Sequence, residues 1–262
     1  MEPLHANELP EVVRSWLPAD PSLEIPSQGT SASVAFVVGA SIVVKRMCGA
    51  VDSSAAEWEH RVLVELAGSG LPIPTPIGLH VREHQGEREA WLCMSRLPGE
   101  PLQHRLRLEH DADARRRWYV AVGEVAARIH ATPIPDALRP TGPVKWFERV
   151  LRRTRRATER MHALVTRLAR DSSPHALETL IHGDLTLDNV LIDDDVITGV
   201  IDWSGGGPGD PRYDVTLALS ADGDTAVEPG AAAAFLEGYC AGPISKELRR
   251  FVERTYRVRA RG

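Results

Sequence analysis

The chain has 262 residues, a formal net charge of −5 and 43% hydrophobic residues. This length is sufficient for one large domain or for two lobes with a hydrophobic core, and the composition is that of a globular protein. The net negative charge argues against a general nucleic-acid-binding protein, and no apolar run is long enough to cross a membrane.

The cysteines and the first residues indicate the cellular compartment. Cys48, Cys93 and Cys240 lie far apart and form no CxxC pair. This excludes a disulfide framework, disfavours a zinc site and favours a reducing compartment. Residues 1–16 lack the basic and apolar regions of a signal peptide. We therefore expect a cytoplasmic protein, monomeric or homodimeric, that binds neither nucleic acid nor membrane.

The first hundred residues are predicted to be rich in β-strands. In chain order, the predicted elements are a short helix at 7–17 with Pro10 in its first turn, a hairpin at 29–47 that turns at Gly39-Ala40-Ser41, a helix at 53–70, a proline-rich connector at 71–78 and a strand that begins at residue 89. The Pro98-Gly99 break that follows is the best candidate for a domain boundary.

Beyond Pro98 the chain is predicted to be mainly helical. Residues 112–133 place an apolar stripe on one helix face, formed by Trp118, Val122, Val125, Ala126 and Ile129. Residues 145–170 give a second amphipathic helix that is rich in arginine, and two short strands follow within residues 180–203. The predicted fold class is therefore α+β, with a small β-rich lobe followed by a larger helical lobe.

Residues 180–203, LIHGDLTLDNVLIDDDVITGVIDW, contain six aspartates. Asp193, Asp194 and Asp195 lie between two β-prone runs, and three adjacent carboxylates there indicate a solvent-facing turn. Asp184 and Asn189 instead have the spacing HxDxxxxN, and Asp202 follows eighteen residues after Asp184. This pattern is typical of a kinase catalytic loop, in which an Asp orients the acceptor hydroxyl and an Asn and a second Asp hold Mg²⁺. His182 is interpreted as a structural residue of such a loop. The alternative is an Asp/Asn-rich turn without activity.

Several motifs together resemble the aminoglycoside phosphotransferase family, whose fold is two-lobed and protein-kinase-like. They are HGDLTLDNVLID, GVIDW and GDPRYDV, preceded in the family's order by VVKRM, ELAGSGLPIPTPIG, WLCMSRLPGEPL and VAARIHATP. The combination is far more specific than any single motif. The resemblance implies a nucleotide-binding N-lobe at residues 1–94, a hinge at 95–99, and a helical C-lobe at 100–262 with the catalytic loop and the acceptor site.

The same resemblance assigns roles within this segment. Asp184 is the catalytic base, while Asn189 and Asp202 are the metal ligands. Asp188 occupies a variable position and is interpreted as non-catalytic. Asp210 and Asp214 fall in the family's helix-opening segment and are interpreted as structural; Asp210 with Pro211 also has the pattern of an N-cap followed by a first-turn proline.

The N-lobe should supply a cation for the nucleotide phosphates. Lys45 ends an alternating strand and takes the place of the kinase strand lysine. Glu57 and Glu59 are the candidate partners on the next helix. Ser54 and Glu57 have the spacing of a capping box, whereas Glu59 shares a face with Val62, Leu63 and Leu66, so we expect Glu59 to pair with Lys45.

Further nucleotide contacts are expected from two loops. The residues over the phosphates would be Gly29, Thr30, Ser31 and Ser33, and the hinge residues Met94, Ser95 and Leu97 would offer backbone groups to adenine. No GxxxxGK[ST] motif is present, which excludes a P-loop enzyme. The expected cofactors are ATP or GTP with Mg²⁺.

The expected activity is transfer of a γ-phosphate to a hydroxyl of a small molecule, an aminoglycoside-type antibiotic by the resemblance, with a role in antibiotic resistance. Two alternatives remain: a metabolic kinase with a choline-like or homoserine-like acceptor, and a non-catalytic nucleotide-binding module. A protein kinase is disfavoured because neither DFG nor APE follows Trp203. The arginines of residues 145–170 form either a solvated face or a surface unfavourable to polycationic aminoglycosides.

Overall fold

A computed structural model describes residues 4–25, 33–139, 178–220, 228, 230–239 and 246–256. The chain divides into two compact units, Met1–Ala67 with Ile73–Leu97 and Gly68–Pro72 with Pro98–Gly262. The arginine-rich segment predicted at 145–170 lies outside the described residues, as do Gly29, Thr30 and Ser31 of the predicted phosphate loop.

The first unit is built on a five-stranded antiparallel sheet. Its strands in spatial order are β1 (Leu23–Glu24), β2 (Ser33–Val37), β3 (Ile42–Cys48), β5 (Glu87–Ser95) and β4 (Pro76–His84). The β2–β3 hairpin is as predicted, and it turns through Gly39, whose φ of 74° is a conformation that glycine adopts without steric cost.

Strand β4 was not among the sequence predictions. The connector predicted at residues 71–78 ends inside it, because Pro76 opens the strand and a register shift separates Pro76 from Gly78. Proline is tolerated at the first residue of a strand, so the proline-rich composition concealed the strand. Gln85 and Gly86 both have positive φ and close the β4–β5 hairpin.

One face of the sheet is covered by the N-terminal segment. Leu4, Leu9 and Val13 pack on sheet residues that include Val44 and Trp91. The short helix α1 spans Glu11–Arg14, and Pro10 is its N-cap residue rather than part of its first turn. The segment therefore shields the apolar side chains on this face of the sheet from solvent.

Helix α2 spans Ala50–Glu65 and begins earlier than predicted, with Gly49 as its N-cap residue. The predicted capping box is therefore wrong, because Ser54 lies inside the helix and its hydroxyl donates to the backbone oxygen of Ala50 at 2.8 Å. Glu57 instead accepts two hydrogen bonds from Arg88 of β5, at 2.9 and 3.0 Å.

The second unit has two small antiparallel sheets and several helices. One sheet contains β6 (Glu100–Pro101), β8 (Val190–Asp193) and β9 (Val196–Val200), and the other contains β7 (Thr179–Ile181) and β10 (Gly207–Gly209). The described helices are α3 (Leu102–Leu108), α4 (Ala112–Ala131), α5 (Pro211–Ala218), α6 (Ala231–Tyr239) and α7 (Lys246–Tyr256).

Helix α4 forms the core of this unit together with α6. The five residues of its predicted apolar stripe are all buried. Helices α4 and α6 touch through glycine: a Cβ on Gly123 would lie 2.1 Å from the backbone oxygen of Phe235, and one on Gly238 would lie 1.9 Å from that of Val120. Only glycine allows the two backbones to approach this closely.

The turn between β8 and β9 is formed by Asp194 and Asp195, with φ values of 42° and 64°. Aspartate is among the few non-glycine residues that adopt this conformation readily. Asp195 also accepts a hydrogen bond from the indole nitrogen of Trp118 at 2.8 Å. The predicted turn is thus present, and one of its carboxylates ties it to helix α4.

Candidate active site

The HxDxxxxN segment follows β7 as a loop, residues 182–189, that leads into β8. The side-chain amide of Asn189 donates to the backbone oxygen of Asp184 at 2.8 Å and to its Oδ2 at 3.1 Å. Because the nitrogen end of the amide is turned toward Asp184, the carbonyl oxygen is the end that remains for a cation. The spacing of five residues therefore brings the predicted base and a predicted metal ligand into direct contact.

His182 joins this loop to the strand that precedes Asp202. Its Nδ1 accepts from the backbone nitrogen of Asp184 at 3.2 Å, and its Nε2 donates to the backbone oxygen of Ile201 at 2.9 Å. Complete burial lowers the pKa of His182, which favours the neutral ring that this bonding requires. The structural role predicted for His182 is thus to hold the two aspartate-bearing segments together.

Gly183 allows a second close approach between these segments. Its φ is 77°, and a Cβ there would lie 2.3 Å from the backbone oxygen of Gly205. The turn Trp203–Gly205 comes directly after Asp202, so contact between the two backbones sets the separation of Asp184 and Asp202. A side chain at position 183 would have both a strained backbone and no space.

Asp214, on helix α5, holds the loop through hydrogen bonds to two backbone nitrogens. Its Oδ2 accepts from the backbone nitrogen of His182 at 2.7 Å and its Oδ1 accepts from that of Gly183 at 2.9 Å, at a site without solvent exposure. Asp210 is the N-cap residue of the same helix, accepting from the backbone nitrogen of Arg212, with Pro211 next to it. Both aspartates thus accept hydrogen bonds from backbone nitrogens and hold the local backbone in place.

The carboxylates of Asp184 and Asp202 interact electrostatically. Burial, followed by the negative charge of Asp202, raises the pKa of Asp184 to about 7. Asp202 itself has a φ of 65°, an uncommon conformation for a residue other than glycine, which is found preferentially at functional sites. Two crowded carboxylates of this kind are a favourable place for positive charge.

The donor set fits Mg²⁺, provided that other ligands complete it. Asp202 and Asn189 offer the hard oxygen atoms that Mg²⁺ prefers. Among the residues that the structure describes, no group of three or more His, Cys, Asp or Glu side chains is arranged to hold a metal ion. Nucleotide phosphates and water would therefore supply the remaining ligands, as is usual in phosphoryl-transfer sites.

The first unit contains the predicted lysine–glutamate pair. Nζ of Lys45 lies 2.9 Å from Oε1 of Glu59, and the two side chains are 8% and 1% exposed. Glu57, the rejected candidate, is half-buried and pairs with Arg88. The helix-face argument thus selected the glutamate that pairs with Lys45.

The predicted hinge residues lie at the end of β5. Met94 is buried and pairs with Val43 in the sheet. The backbone nitrogen of Ser95 donates to the backbone oxygen of Thr75 at 2.8 Å. The backbone of Ser33 lies in β2, opposite Arg46. Leu97 ends the first unit.

Comparisons with known proteins identify the family to which this chain is similar. The family described as "Phosphotransferase enzyme family" matches residues 22–252. The viomycin phosphotransferase of Streptomyces vinaceus is 31% identical over 182 residues, which cover 62% of this chain and 61% of the relative. The homoserine kinase of Pseudomonas aeruginosa (strain UCBPP-PA14) is 29% identical over 184 residues, which cover 65% of this chain and 55% of the relative. In both cases the chain spans less than two thirds of the relative's length.

Solved structures show the same fold. The streptomycin–ATP–APH(2″)-IIa ternary complex matches with a TM-score of 0.65 at 15% identity, over 97% of this chain and 88% of that chain. This likeness confirms the predicted α+β, protein-kinase-like fold. None of the described helices is both long and apolar enough to cross a membrane.

Proposed function

Because the chain belongs to the phosphotransferase enzyme family, we propose that it transfers the γ-phosphoryl group of ATP or GTP to a hydroxyl group of an aminoglycoside-type antibiotic. The proposal includes a Mg²⁺ requirement, a monomeric or homodimeric state and action in the cytoplasm.

The observation that carries the proposal is the arrangement around Asp184. The loop is fixed at His182 and Gly183 by Asp214, Asn189 bonds to Asp184, and Asp202 is close enough to raise the pKa of Asp184. An Asp/Asn-rich turn without activity would not need a buried anchor or two crowded carboxylates. Phosphoryl transfer makes use of both, because its chemistry depends on positioning and charge neutralisation.

Asp184 would act on the acceptor hydroxyl. The hydroxyl oxygen forms a bond to the γ-phosphorus while the bond from that phosphorus to the β–γ bridging oxygen breaks, and the nucleoside diphosphate leaves with those electrons. Asp184 takes the hydroxyl proton. Asn189 holds the Asp184 side chain through its amide, so that the carboxylate keeps one orientation during the transfer.

The remaining residues would bind the nucleotide. Lys45, oriented by Glu59, would contact the phosphates, and backbone groups of Met94, Ser95 and Leu97 would contact the adenine. Asp202 and the carbonyl of Asn189 would hold Mg²⁺, which neutralises phosphate charge. By the same proposal, Gly29, Thr30, Ser31 and Ser33 would contribute to phosphate binding.

A second candidate acceptor is a small metabolite such as homoserine. It is favoured by one observation, the 29% identity to a homoserine kinase. A non-catalytic nucleotide-binding module is disfavoured because Lys45, Glu59, Asp184, Asn189 and Asp202 are all present, whereas loss of at least one would be expected in such a module.

An acceptor screen tests the proposal. The purified protein is incubated with Mg²⁺ and either ATP or GTP together with viomycin, streptomycin, gentamicin, a macrolide, homoserine or choline, and products are identified by mass spectrometry. A phosphorylated antibiotic supports the proposal, and phosphorylated homoserine or choline supports the second candidate. If the protein binds nucleotide but yields neither a phosphorylated product nor nucleotide hydrolysis, the result would instead support the non-catalytic module.

A further inference from the structure

A buried chain of hydrogen bonds leads from helix α6 to the HGD loop. The hydroxyl of Tyr239, the last residue of α6, lies 2.5 Å from Nδ1 of His130 on α4. Nε2 of His130 lies 3.2 Å from Oδ2 of Asp214 on α5. Asp214 in turn accepts from the backbone nitrogens of His182 and Gly183, and Asp184 follows directly.

For a neutral His130 ring, the hydrogen-bonding capacities of these groups give the chain one direction. An ionised carboxylate only accepts, so Nε2 of His130 carries the proton that it donates to Asp214. In the neutral ring Nδ1 is then an acceptor, and the hydroxyl of Tyr239 donates to it. Burial, followed by the charge of Asp214, raises the pKa of Tyr239 above its usual range, which keeps this hydroxyl protonated. Every donor along the chain therefore points toward Asp214.

The helices hold the chain in one geometry. Tyr239, His130 and Asp214 are 3%, 9% and 0% exposed, and the ring of Phe235 stacks on that of Tyr239 with centroids 5.7 Å apart. The glycines of α4 and α6 allow the two helix backbones to pack in close contact beside this chain. Polar groups buried this deeply are costly unless each is hydrogen-bonded.

We propose that Tyr239 and His130 are positioning residues for the phosphoryl-transfer reaction, which act through Asp214 on the backbone of His182 and Gly183 and so on the placement of Asp184. The inference rests on the proposed function. Each residue restrains the next group along the chain of hydrogen bonds. An apolar pair at these two positions would leave the Asp214 carboxylate without the donor that His130 supplies.

Four variants test the proposal. Tyr239→Phe removes only the terminal donor, and His130→Leu removes the middle of the chain. His130→Gln offers an amide N–H that can reach the position of Nε2, so it should restore part of the function. Tyr119→Phe is the matched control, because Tyr119 is a buried tyrosine on α4 whose hydroxyl interacts with Glu228 rather than with Asp214.

The readouts are kcat, KM for both substrates, and amide hydrogen exchange of residues 182–183. We expect kcat to fall about three- to tenfold in Tyr239→Phe, as for loss of one hydrogen bond in a chain. In His130→Leu we expect a fall of about 10- to 100-fold, as for residues that orient a site from behind. KM should stay near the wild-type value, and amide exchange at residues 182–183 should accelerate. The kcat of His130→Gln should lie between those of the wild type and His130→Leu.

Wild-type kcat and exchange in Tyr239→Phe and His130→Gln would overturn the proposal, and so would equal losses in Tyr119→Phe and Tyr239→Phe. If His130→Leu fails to fold, the comparison of Tyr239→Phe with Tyr119→Phe decides. If the wild-type protein phosphorylates no acceptor, the proposed function has failed. The exchange rates then still decide whether the hydrogen-bond chain restrains the loop: unchanged rates in Tyr239→Phe would overturn that part as well.

Discussion

Nζ of Lys45 lies 2.9 Å from Oε1 of Glu59, and this ion pair is almost entirely removed from solvent. Removing one partner of such a pair leaves the other charge buried and uncompensated, which is strongly destabilising. We propose that this buried pair serves to orient the ammonium group of Lys45 toward the nucleotide phosphates.

The first prediction concerns this pair. Lys45→Ala and Glu59→Gln should each impair use of ATP. The double variant should be far less impaired than the sum of the two single effects. We expect a coupling energy of about 1–3 kcal/mol, because the two side chains act as one unit. The measurement is kcat and KM for ATP in the two single variants and the double variant. Additive effects would show that Glu59 does not act through Lys45.

Glu57→Gln is the matched control for Glu59→Gln. Glu57 lies on the same helix, but it pairs with Arg88 at a half-exposed position. Exposed ion pairs contribute about 0–1 kcal/mol, so this variant should unfold at nearly the wild-type temperature with an unchanged KM for ATP. A raised KM in Glu57→Gln with none in Glu59→Gln would mean that the wrong glutamate has been chosen.

The second prediction separates Asp202 from Asp184. Asp202→Asn should raise the Mg²⁺ concentration needed for half-maximal activity and lower the plateau, because a carboxylate is a stronger ligand for Mg²⁺ than an amide. Activity is measured as a function of Mg²⁺ at saturating nucleotide. If Asp202→Asn reached the wild-type plateau at the wild-type Mg²⁺ concentration, Asp202 would not be a metal ligand.

The third prediction concerns the contact between Gly183 and Gly205. Gly183→Ala and Gly68→Ala place a side chain at nearly the same backbone angle, 77° and 81°, but the new Cβ meets the Gly205 oxygen at 2.3 Å only in the first case. Both variants should lose about 1 kcal/mol of unfolding free energy from backbone strain. Gly183→Ala should lose more, and it alone should lose kcat. Equal stability and full activity in the two variants would contradict this account of the loop.

The fourth prediction concerns the β8–β9 turn. Asp195→Ala removes the acceptor for the indole N–H of Trp118 and should lower the free energy of unfolding by about 1–2 kcal/mol, with kcat unchanged. Asp194→Asn should be neutral, because asparagine also adopts the left-handed conformation. Thermal unfolding and kinetics of both variants check this. A loss of kcat in either one, without loss of stability, would show that the turn has a role beyond structure.

The sequence predicted the parts of the protein that local patterns determine. The β2–β3 hairpin, the apolar stripe of α4 and the choice of Glu59 followed from periodicity. The start of α2 did not, because Gly49 terminates the strand and begins the helix at once, whereas Ser54 has the more familiar capping pattern.

Long-range contacts account for what the sequence could not show. Asp214 was interpreted as structural, but its bonds to His182 and Gly183 join residues more than thirty positions apart in the chain. His130 and Tyr239 were not singled out, although one signal was available. His130 lies four residues after Ala126, on the apolar face of α4, where a polar ring requires a partner.

The central claim is tested most directly by transfer of γ-³²P from labelled nucleotide to an acceptor, measured for Asp184→Asn and for Asp188→Asn. Both substitutions are made in the same loop, but Asp188 is exposed and is interpreted as non-catalytic. The account predicts labelled acceptor at near the wild-type rate with Asp188→Asn. With Asp184→Asn it predicts a loss of about 10²- to 10⁴-fold, the usual cost of removing a general base, while nucleotide binding is retained. Transfer at the wild-type rate by Asp184→Asn would contradict it.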